Sequence, residues 1–553
     1  MLRFADMDKH AVRSVLEHIA AFLELKGESV ARVRAYQNAA RVGVRADARG
    51  EVLEVVRELA GSGRSTTLDE LREQIPPGLV EMLRIPGLGV AKVRQIHESL
   101  HIESLPELED AAADGRLAAL PRFGQKTAEN VRKGIAALRQ ASAFRLLHHA
   151  LDEAQGIAGA LIGLEGVRRV EIAGSVRRRR EIIRDLDFVV VHAGTGARDA
   201  LVKRLGEAPG VIELAGKEGA VTLRFASGSV VDVYLATPDD VGLAWVRATG
   251  SAAHLAQLEG RATFDPRGRW PDEESVYRAA GLPWIAPELR EGLGELEAAE
   301  AGRLPRLIEQ RDLKGFLHCH TNFSDGTTTV AEWAAACRDA GYAWMGITDH
   351  SQSSAYAGGL RAEDLARQHA EIEAEDRRFP DFRVLKGVEA DILADGSLDY
   401  GPAVLDRFDF VIASIHTRFG MSETEMTERV LKAMDDPHMT ILGHPTGRLL
   451  LSRDPYAIDL ERVLERAAER GVAVELNADP HRLDLDWRLV RRARALGVPI
   501  SLGADAHSVA GMSNVAVGLG IARKGWLGAE DVLNTRDAAG FLAHARRRRP
   551  AYA

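Results

Sequence analysis

A repeated alternation of strands and helices after Lys314 constrains the fold of this chain most strongly. Short apolar runs recur between helical stretches, and nearly all of them end at or next to histidine, aspartate, glutamate or asparagine: FLHCH, AWMGITDH, FRVLKGVEA, FDFVIASIH, TILGHP, VAVELNA and PISLGADAH. Strands that alternate with helices form largely parallel sheets, and α/β barrels place their active sites at the carboxyl ends of the strands. The pattern therefore predicts a (β/α) barrel with a polar site on one face.

The polar residues at these strand ends are candidate metal ligands, because imidazole and carboxylate groups suit zinc, manganese and iron. Side chains repeat every two residues along a strand, so His318 and His320 share a face, as do Asp505 and His507. A single histidine of this kind is more often a hydrogen-bonded core residue, but a series at successive strand ends predicts a metal site. The candidates are His318, His320, Asp325, Asp349, His350, Glu389, His416, His444, Asp505 and His507.

The segments HCHTNFSDG, ITDHS, KGVEADI, ASIH, GHPTGR, ELNADPHR and GADAHS, in this order, closely resemble the motifs of the PHP (polymerase and histidinol phosphatase) domain. The resemblance spans about Lys314 to Ala553 and implies a distorted (β/α) barrel with a cluster of three Zn²⁺, Mn²⁺ or Fe ions that hydrolyses phosphoesters. The implied ligands are His318, His320, Glu389 and Asp505 for one ion, Glu389, His416 and His444 for a second, and Asp325, His350 and His507 for a third. Arg448 is expected either to hold a phosphate or to form a surface salt bridge.

Length and composition limit the class of protein. A chain of 553 residues predicts three to five domains. Its net charge of −9 argues against a protein that coats nucleic acid by charge alone, although local contacts and metals can still attract DNA. The two cysteines, Cys319 and Cys337, cannot form a disulfide framework, and we find neither an export signal nor an apolar run of membrane-spanning length. We expect a cytoplasmic monomer without a membrane partner.

Residues 8 to about 140 have the apolar spacing of short helices and predict an all-α region. Two segments in it, IPGLGVAKV and LPRFGQKTA, resemble helix-hairpin-helix elements, in which amides at a helix start bind DNA phosphate. One such turn is better explained as a simple helix start, but two copies favour DNA binding. Arg122 replaces the first glycine of the second copy. The candidate DNA-binding residues are Gly87, Gly89, Lys92, Gly124 and Lys126.

The middle of the chain changes to short β-type runs and predicts a mixed α/β domain. Its segment AGSVRRRREIIRDLDFVVV contains a Gly-Ser turn, basic residues and then Asp185 and Asp187. Two aspartates spaced by two on a strand project together and can share divalent cations, and Asp232 could join them from another strand. An Asp-x-Asp pair alone is commonly only a strand-end turn, but the preceding Gly-Ser turn favours a catalytic role.

This arrangement resembles the nucleotidyltransferase palm of family X DNA polymerases, with helix-hairpin-helix elements before it and a PHP domain behind it, as in bacterial members. The resemblance covers essentially the whole chain. It implies an N-terminal helical, 8 kDa-like domain (1–80), a helix-hairpin-helix, fingers-like domain (81–143), a palm (144–240), a small α-rich thumb with a linker (241–311) and the PHP domain (312–553). It implies Mg²⁺ or Mn²⁺ on the catalytic Asp185, Asp187 and Asp232, and nucleotide binding by Gly174, Ser175, Arg178, Gly250 and Ser251.

Several positions depart from the family pattern. Arg184 replaces a glycine, Arg247 and Ala248 replace the aromatic pair of Tyr-Phe-Thr-Gly-Ser, Leu255 replaces an asparagine, and Glu259 replaces an arginine. Because the aspartates remain while substrate-positioning residues differ, polymerisation is expected to be weak, of low fidelity or altered in nucleotide preference. Val55 stands where eukaryotic relatives carry a lysine for lyase chemistry, in a degenerate first hairpin (RADARGEVLEVV), so no such lyase activity is expected.

The sequence thus favours a DNA repair enzyme with two active sites. A gap-filling, two-metal family X polymerase would add deoxynucleoside triphosphates to gapped or primed duplex DNA, and a PHP site would act as a 3'-5' exonuclease or phosphoesterase, with base excision repair as its setting. In an alternative, the PHP nuclease or phosphatase alone is active and a degenerate palm mainly binds DNA. A third hypothesis, a DNA-bridging scaffold with a structural metal cluster, is disfavoured because a scaffold does not need so many open-site ligands.

Overall fold

The computed structural model describes residues 9–42, 50–62, 65–142, 144–217, 219–225, 228–261 and 268–549. They divide into two compact units, Met1–Ala143 and Phe144–Ala553. Within these described ranges, none of the helices combines the length and the apolar character that crossing a bilayer requires.

The described part of the first unit is entirely helical, as the sequence predicts. Its helices are α1 Lys9–Lys26, α2 Val30–Val42, α3 Glu51–Ser62, α4 Thr66–Gln74, α5 Pro77–Met82, α6 Val90–Leu100, α7 Leu105–Ala113 and α8 Gln125–Ser142. Local sequence explains the starts of two of them. Ser65 caps α4 through its side chain, and Ser104 forms a reciprocal capping box with Glu107 at α7. Buried residues such as Ile85, Val93 and Ile135 join the helices in one core.

The second unit begins with a mixed sheet, which we call the palm sheet. Its strands are β2 Val167–Ile172, β4 Leu186–His192, β5 Val211–Lys217, β6 Ala220–Phe225 and β7 Val230–Ala236, in the order β2-β4-β7-β6-β5. The accompanying elements are β1 Arg145–Leu146, α9 Leu147–Ile162, α10 Gly174–Arg177, β3 Ile182–Ile183 and α11 Thr195–Gly206. The interior strand β4, between β2 and β7, is an almost continuous apolar run, as expected for a strand that neighbouring strands and helices bury.

Residues 241–261 and 268–311 form a small helical layer after the palm sheet. Its helices are α12 Val241–Thr249, α13 Ala252–Arg261, α14 Glu273–Ala279 and α15 Glu295–Glu300, with a short 3₁₀ turn at Pro287–Leu289. Their core contains Val246, Ile285 and Leu296, and it also takes in Trp526 from the far end of the chain. This layer therefore packs directly on the C-terminal region.

The C-terminal region is a parallel sheet with helices between its strands, which we call the C-terminal barrel. Its strands are β8 Gly315–Cys319, β9 Trp344–Ile347, β10 Arg383–Lys386, β11 Glu389–Asp391, β12 Ile412–Ser414, β13 Ile441–Leu442, β14 Ala473–Asn477 and β15 Ile500–Ala506. Its helices are α16 Val330–Asp339, α17 Leu365–Arg378, α18 Pro402–Leu405, α19 Glu423–Asp435, α20 Leu460–Arg470, α21 Trp487–Ala495, α22 Asn514–Lys524 and α23 Ala538–Arg546.

The order of the strands, β10-β9-β8-β15-β14-β13-β12-β11, explains how this sheet curves. The run FRVLKGVEA is divided at Gly387, so that the consecutive strands β10 and β11 lie at opposite ends of the order. The amide of Glu389 donates to the carbonyl of Asp349 (3.1 Å), and the amide of Ser351 donates to the carbonyl of Glu389 (3.0 Å). These bonds join β11 to the segment that follows β9, the strand next to the end strand β10, so the sheet curves back on itself. This agrees with the (β/α) barrel that the sequence predicts and with the distorted form that the PHP resemblance implies.

Candidate active sites

The candidate ligands of the C-terminal barrel converge because parallel strands end at the same edge. His318 lies in β8 and His320 directly follows it, Glu389 begins β11, and Asp505 lies near the end of β15. The imidazoles of His318 and His320 are fully buried, and Glu389 is almost fully buried. Seven of the candidate side chains are at most 8% exposed: His318, His320, His350, Glu389, His416, His444 and Asp505. Imidazoles and carboxylates with so little access to water need partners of opposite charge or metal ions.

Glu389 is the centre of the group. Its Oε1 lies 2.9 Å from His444 Nε2, 3.3 Å from His416 Nε2 and 3.5 Å from His318 Nε2. Its Oε2 lies 3.0 Å from His350 Nδ1 and 3.7 Å from His320 Nε2. One carboxylate thus faces five histidines.

Two aspartates complete the arrangement on either side of His320. Asp505 Oδ1 lies 3.5 Å from His320 Nε2 and 3.7 Å from His318 Nε2. Asp325 Oδ1 lies 3.7 Å from His320 Nδ1, and its Oδ2 lies 3.2 Å from His507 Nε2. Asp325 and His507 are partly exposed, so this side of the cluster opens to solvent.

The donor set fits divalent metal ions. Two donors bound about 2.0–2.2 Å from one tetrahedral ion lie about 3.4 Å apart, which is close to many of the separations above. His318 Nε2 and both ring nitrogens of His320 are buried without a hydrogen-bond partner among the described residues. A buried nitrogen without a partner is costly unless a ligand satisfies it, so these atoms point to bound ions.

The structure gathers the predicted ligands into three groups whose donor atoms lie within 4.8 Å of one another: His318, His320 and Asp505; His350, Glu389 and His416; and His320, Asp325, His350 and His507. The division differs from the sets that the family resemblance implies. His320 and His350 each belong to two groups, and His444 joins the cluster through its contact with Glu389. Shared ligands of this kind describe one continuous cluster rather than three separate sites.

The charges of the cluster stabilise one another. Burial alone would raise the pKa of Glu389, but His416, His350 and His318 hold it well below its usual value. Burial likewise opposes protonation of His318, yet Glu475, Asp505 and Glu389 raise the pKa of that imidazole. Cations are therefore strongly favoured at this position, whether they are protons or metal ions.

Three ligands also carry backbone strain. His318, His444 and Asp505 have φ values of 60°, 23° and 48°, in the left-handed region that non-glycine residues rarely adopt. Each such residue costs about 1–3 kcal/mol and persists only where the surrounding structure enforces it. Strain at three ligands of one cluster indicates that the ligand geometry itself is functional.

Sequence reasoning missed the carboxylates behind the ligands. Glu475 on β14 contacts His318 Nδ1 (2.5 Å) through Oε1 and accepts the His444 amide (2.7 Å) through Oε2. Asp391 Oδ1 lies 2.6 Å from His416 Nδ1. Such outer carboxylates orient metal-binding imidazoles. The sequence did contain a signal for Glu475, because this glutamate lies within the apolar strand VAVELNA. Charged residues are rarely buried unless they have a partner, so its position indicated a buried contact.

Arg448 forms a salt bridge with Asp486, but in the interior rather than at the surface. Its guanidinium donates to the carbonyl of Arg482 (2.9 Å) and to Asp486 (3.2 Å), and the residue is nearly buried. The arginine that does reach the cluster is Arg482, whose Nε lies 3.4 Å from Asp505 Oδ2.

In the palm sheet, the candidate aspartates meet on neighbouring strands. Asp187 on β4 lies opposite Asp232 on the parallel strand β7, and Asp185 lies two residues earlier. All three are half-buried. Burial and then the three aspartates raise the pKa of Tyr234 to about 12, which places their charges around one phenol. Among the described residues, however, the groups of three or more closely spaced metal donors all lie in the C-terminal barrel.

The Gly-Ser turn lies directly against these aspartates. Gly174 has a φ of 61°, and a Cβ added there would come 1.8 Å from Asp187 Oδ2, so only glycine fits. The neighbouring Ser175 hydroxyl is buried and has no hydrogen-bond partner in the described parts of the chain. Arg178 donates to Glu291 (3.1 Å) and to the carbonyl of Thr249 (2.5 Å).

The other palm candidates have structural partners. Gly250 ends α12, and Ser251 accepts the amide of His254 (3.1 Å) at the start of α13. Two of the departures from the family pattern pair with each other, because Arg247 Nε donates to Glu259 (2.9 Å) on the surface. The negative charge of Glu259 is therefore partly neutralised by the guanidinium of Arg247. Leu255 is partly buried in the neighbouring helical core, and Arg184 is exposed.

The two helix-hairpin-helix elements have the same backbone geometry. Gly87 (φ 85°) and Arg122 (φ 68°) both take the left-handed conformation two residues before the glycine that starts a helix. In each, that glycine accepts an amide three residues on, at 2.9 Å: Lys92 to Gly89 and Thr127 to Gly124. Arg122 thus keeps the turn that glycine was expected to make.

The remaining N-terminal candidates lie near these turns. Lys92 Nζ donates to the carbonyl of Gly87 (2.8 Å), and Lys126 is exposed in the first turn of α8. Open space surrounds Gly87, Gly89 and Gly124, where no heavy atom outside the local chain lies within 4 Å of an added Cβ. Of the first, degenerate hairpin, residues 43–49 lie outside the described residues, and Val55 is buried in the core.

Comparisons with known proteins agree with this organisation. A family described as "PHP domain" matches residues 317–479, and one described as "SAM-like Helix-hairpin-helix tandem" matches residues 79–137. A protein of Bacillus subtilis (strain 168) named "DNA polymerase/3'-5' exonuclease PolX" is 34% identical over 97% of this chain and 99% of its own.

Shorter relatives match only part of this chain. A "Probable phosphatase" of Thermoanaerobacter sp. (strain X514) is 27% identical over 39% of this chain and 89% of its own. Another, of Caldanaerobacter subterraneus subsp. tengcongensis, is 30% identical over 34% of this chain and 74% of its own. Only the Bacillus protein among these three matches both the palm sheet and the barrel. The chain therefore belongs to the PolX family, the bacterial family X DNA polymerases with helix-hairpin-helix elements and a C-terminal PHP domain.

Proposed function

We propose that this chain is a DNA polymerase and a 3'-5' exonuclease with two separate active sites. The observation that carries the proposal is the convergence of eight imidazoles and carboxylates, joined by His444 through Glu389, on one edge of the C-terminal barrel. The same chain sets Asp187 opposite Asp232 in the palm sheet. The identity over the full length of the Bacillus relative supports the pairing of both activities.

The nuclease site is the barrel cluster. His318, His320, Glu389 and Asp505 would hold one ion, Glu389, His416 and His444 a second, and Asp325, His350 and His507 a third. Divalent ions bound there supply Lewis acidity and the means to activate water at neutral pH. The residues of the chain do the rest: Glu475 and Asp391 hold the imidazoles in place, and the partly exposed side with Asp325 and His507 admits the phosphodiester. We propose manganese as the working metal, with zinc and iron as alternatives.

The polymerase site is the palm sheet. Asp185, Asp187 and Asp232 would hold two Mg²⁺ or Mn²⁺ ions, since carboxylate oxygens are the ligands that these ions prefer. Such ions supply charge neutralisation for an in-line attack on the α-phosphate. Gly174 lets the backbone approach the triphosphate, Ser175 offers a hydroxyl, and Arg178 a guanidinium. Gly250 and Ser251 would lie beside the nucleotide.

DNA would be held by the two hairpins, whose helix-start amides and exposed surfaces suit phosphate contacts irrespective of sequence. Gapped or primed duplex DNA is the proposed substrate, with base excision or gap repair in the cytoplasm as the setting. We propose five domains: the N-terminal helical domain (1–80), the helix-hairpin-helix domain (81–143), the palm (144–240), the thumb with its linker (241–311) and the PHP domain (312–553). We also propose that the protein acts as a monomer.

One observation favours a second candidate function. Arg247 and Glu259 replace an aromatic residue and an arginine of the family pattern. Their side chains form an ion pair with each other, so neither supplies the substrate contact of the residue that it replaces. A palm that has lost these contacts would polymerise weakly, and the chain would then act mainly as a PHP nuclease or phosphatase that uses the palm to bind DNA.

The two functions separate in one experiment on gapped DNA with a labelled primer, Mn²⁺ and deoxynucleoside triphosphates. Asp185→Ala should abolish extension and leave degradation, and His318→Ala should abolish degradation and leave extension. The matched controls are Asp199→Ala and Asp395→Ala, two exposed aspartates of the same regions. Wild-type protein that degrades but never extends would support the second candidate. Loss of both activities in either variant contradicts two separate sites.

A further inference from the structure

A buried lysine at the end of the barrel helix α22 reaches the palm sheet. Lys524 has no exposed surface, and its Nζ donates to the carbonyl of Arg178 (3.0 Å) and to Glu291 Oε1 (2.5 Å). It also lies 4.5 Å from the centre of the Trp487 ring. A buried ammonium group is unfavourable unless partners compensate its charge, so these contacts determine where Lys524 lies.

Glu291 is shared among three cations. Besides Lys524, its carboxylate accepts from Arg178 Nε (3.1 Å) and lies 3.6 Å from Arg180 Nη1. Burial opposes ionisation, but Lys524 and the two arginines keep the pKa of Glu291 below its usual value. The carboxylate therefore stays charged, and its attraction is divided among Lys524, Arg178 and Arg180.

This network lies between the palm turn and the barrel helix α22. Arg178 follows the Gly174–Ser175 turn, and α22 follows β15, the strand that carries Asp505. The interface between them is close, because a Cβ added at Gly520 would come 3.0 Å from the Arg179 side chain. The barrel helix α22 thus packs against the segment that follows the Gly174–Ser175 turn of the palm.

We infer that Lys524 and Glu291 are positioning residues for the triphosphate of the incoming nucleotide and that they act through Arg178. The inference rests on the proposed polymerase function of the palm. Glu291 orients the Arg178 guanidinium, and Lys524 takes up part of the carboxylate's attraction, so that Arg178 can still turn toward a triphosphate. Without Lys524, Glu291 would hold Arg178 more tightly and would compete with the nucleotide for it.

The test measures nucleotide binding directly. The probe is dATP with Mg²⁺, bound to full-length protein on gapped DNA whose primer ends in a dideoxynucleotide and has phosphorothioate linkages, so that neither reaction proceeds. Lys524→Met should raise the Kd for dATP about tenfold, which corresponds to the loss of one charged hydrogen-bond network. In turnover assays KM should rise similarly, while kcat stays within about threefold and nuclease activity within about twofold.

The matched control is Arg491→Met. Arg491 contacts the carbonyl of Leu293 (2.7 Å) and the Trp526 ring at the same interface, but not the Arg178 network. It should leave the Kd unchanged. The double variant Lys524→Met with Glu291→Gln removes both charges and should return the Kd to within about threefold of wild type, because the competing carboxylate is gone.

Three results would overturn the inference: an unchanged Kd in Lys524→Met, an equal rise in Arg491→Met, or no recovery in the double variant. Nuclease activity reports whether the variant folds. If Lys524→Met is unfolded, Lys524→Gln, which keeps a donor for the Arg178 carbonyl, gives the same test. A wild-type protein that binds no dATP contradicts the palm assignment itself, whereas binding that Lys524→Met leaves intact contradicts only the role of Lys524.

Discussion

The barrel cluster and the palm site are built in opposite ways. In the barrel, the ligands are mostly buried, and outer carboxylates such as Glu475 and Asp391 fix the orientation of their imidazoles. In the palm, the aspartates are half-buried, and Asp232 accepts a hydrogen bond from the hydroxyl of Thr222. The protein itself thus fixes the barrel ligands, whereas the palm aspartates have less support from neighbouring side chains.

This difference has a consequence for mutations. A preorganised site depends on residues that never touch substrate, because they hold the ligands within a few tenths of an ångström. An open site depends on its direct ligands and on close contacts of the backbone, while water can replace more distant support. Nuclease activity should therefore be sensitive to outer residues, and polymerase activity should not.

The largest effect is expected for Glu389→Gln. This residue faces His350, His416 and His444 at 3.0, 3.3 and 2.9 Å, so its neutral amide would leave buried cations without their central carboxylate. Nuclease activity should fall by roughly 1,000-fold or more, with fewer bound ions per protein in elemental analysis. The control is Glu373→Gln, an exposed glutamate of the same region. Polymerisation should remain, and a nuclease reduced less than tenfold would contradict a central role for Glu389.

The palm equivalent of that test is Gly174→Ala. An added Cβ meets Asp187 and the φ of 61° disfavours alanine, so the turn or the aspartate must move by about an ångström. Displacement of that size can cost about 100-fold in polymerisation. Gly196→Ala is the control, because Gly196 lies in α11 and no heavy atom beyond its local chain lies within 4 Å of an added Cβ. Should Gly174→Ala polymerise normally, the close approach of turn and aspartate has no role in the reaction.

Local patterns in the sequence predicted part of this organisation. Polar residues at strand ends identified the direct barrel ligands, because parallel strands of a barrel end on one face. Arg122 shows the limit of residue types, since an arginine keeps the left-handed turn in which glycine was expected. The tertiary partners could not be read in this way. Lys524 and Glu291 lie 346 and 113 residues from Arg178, and no local pattern encodes contacts over such separations.

Glu475→Gln tests the outer support of the barrel. Glutamine keeps the size of the side chain but loses the charge that His318 and the His444 amide contact. Removal of an outer carboxylate typically costs about 10- to 100-fold in metal affinity or activity. The measurement is nuclease rate against added Mn²⁺, and excess metal should recover part of the loss. Glu461→Gln, an exposed partner of Arg492, is the control. Equal metal dependence of Glu475→Gln and wild type would mean that Glu475 has only a structural role.

The smallest effect is expected for Thr222→Val, the palm counterpart of Glu475→Gln. Thr222 is nearly buried on β6, directly across from Asp232 on β7, and valine keeps its shape while removing the hydroxyl that donates to the carboxylate. Because Asp232 is half-exposed, water can replace this hydrogen bond, and primer extension should fall less than about fivefold. Extension rates at saturating Mg²⁺ measure this directly, with nuclease activity as the internal control for folding. If the loss instead matched that of Glu475→Gln, the palm would depend on outer support as strongly as the barrel does, and the contrast between an open and a preorganised site would not hold.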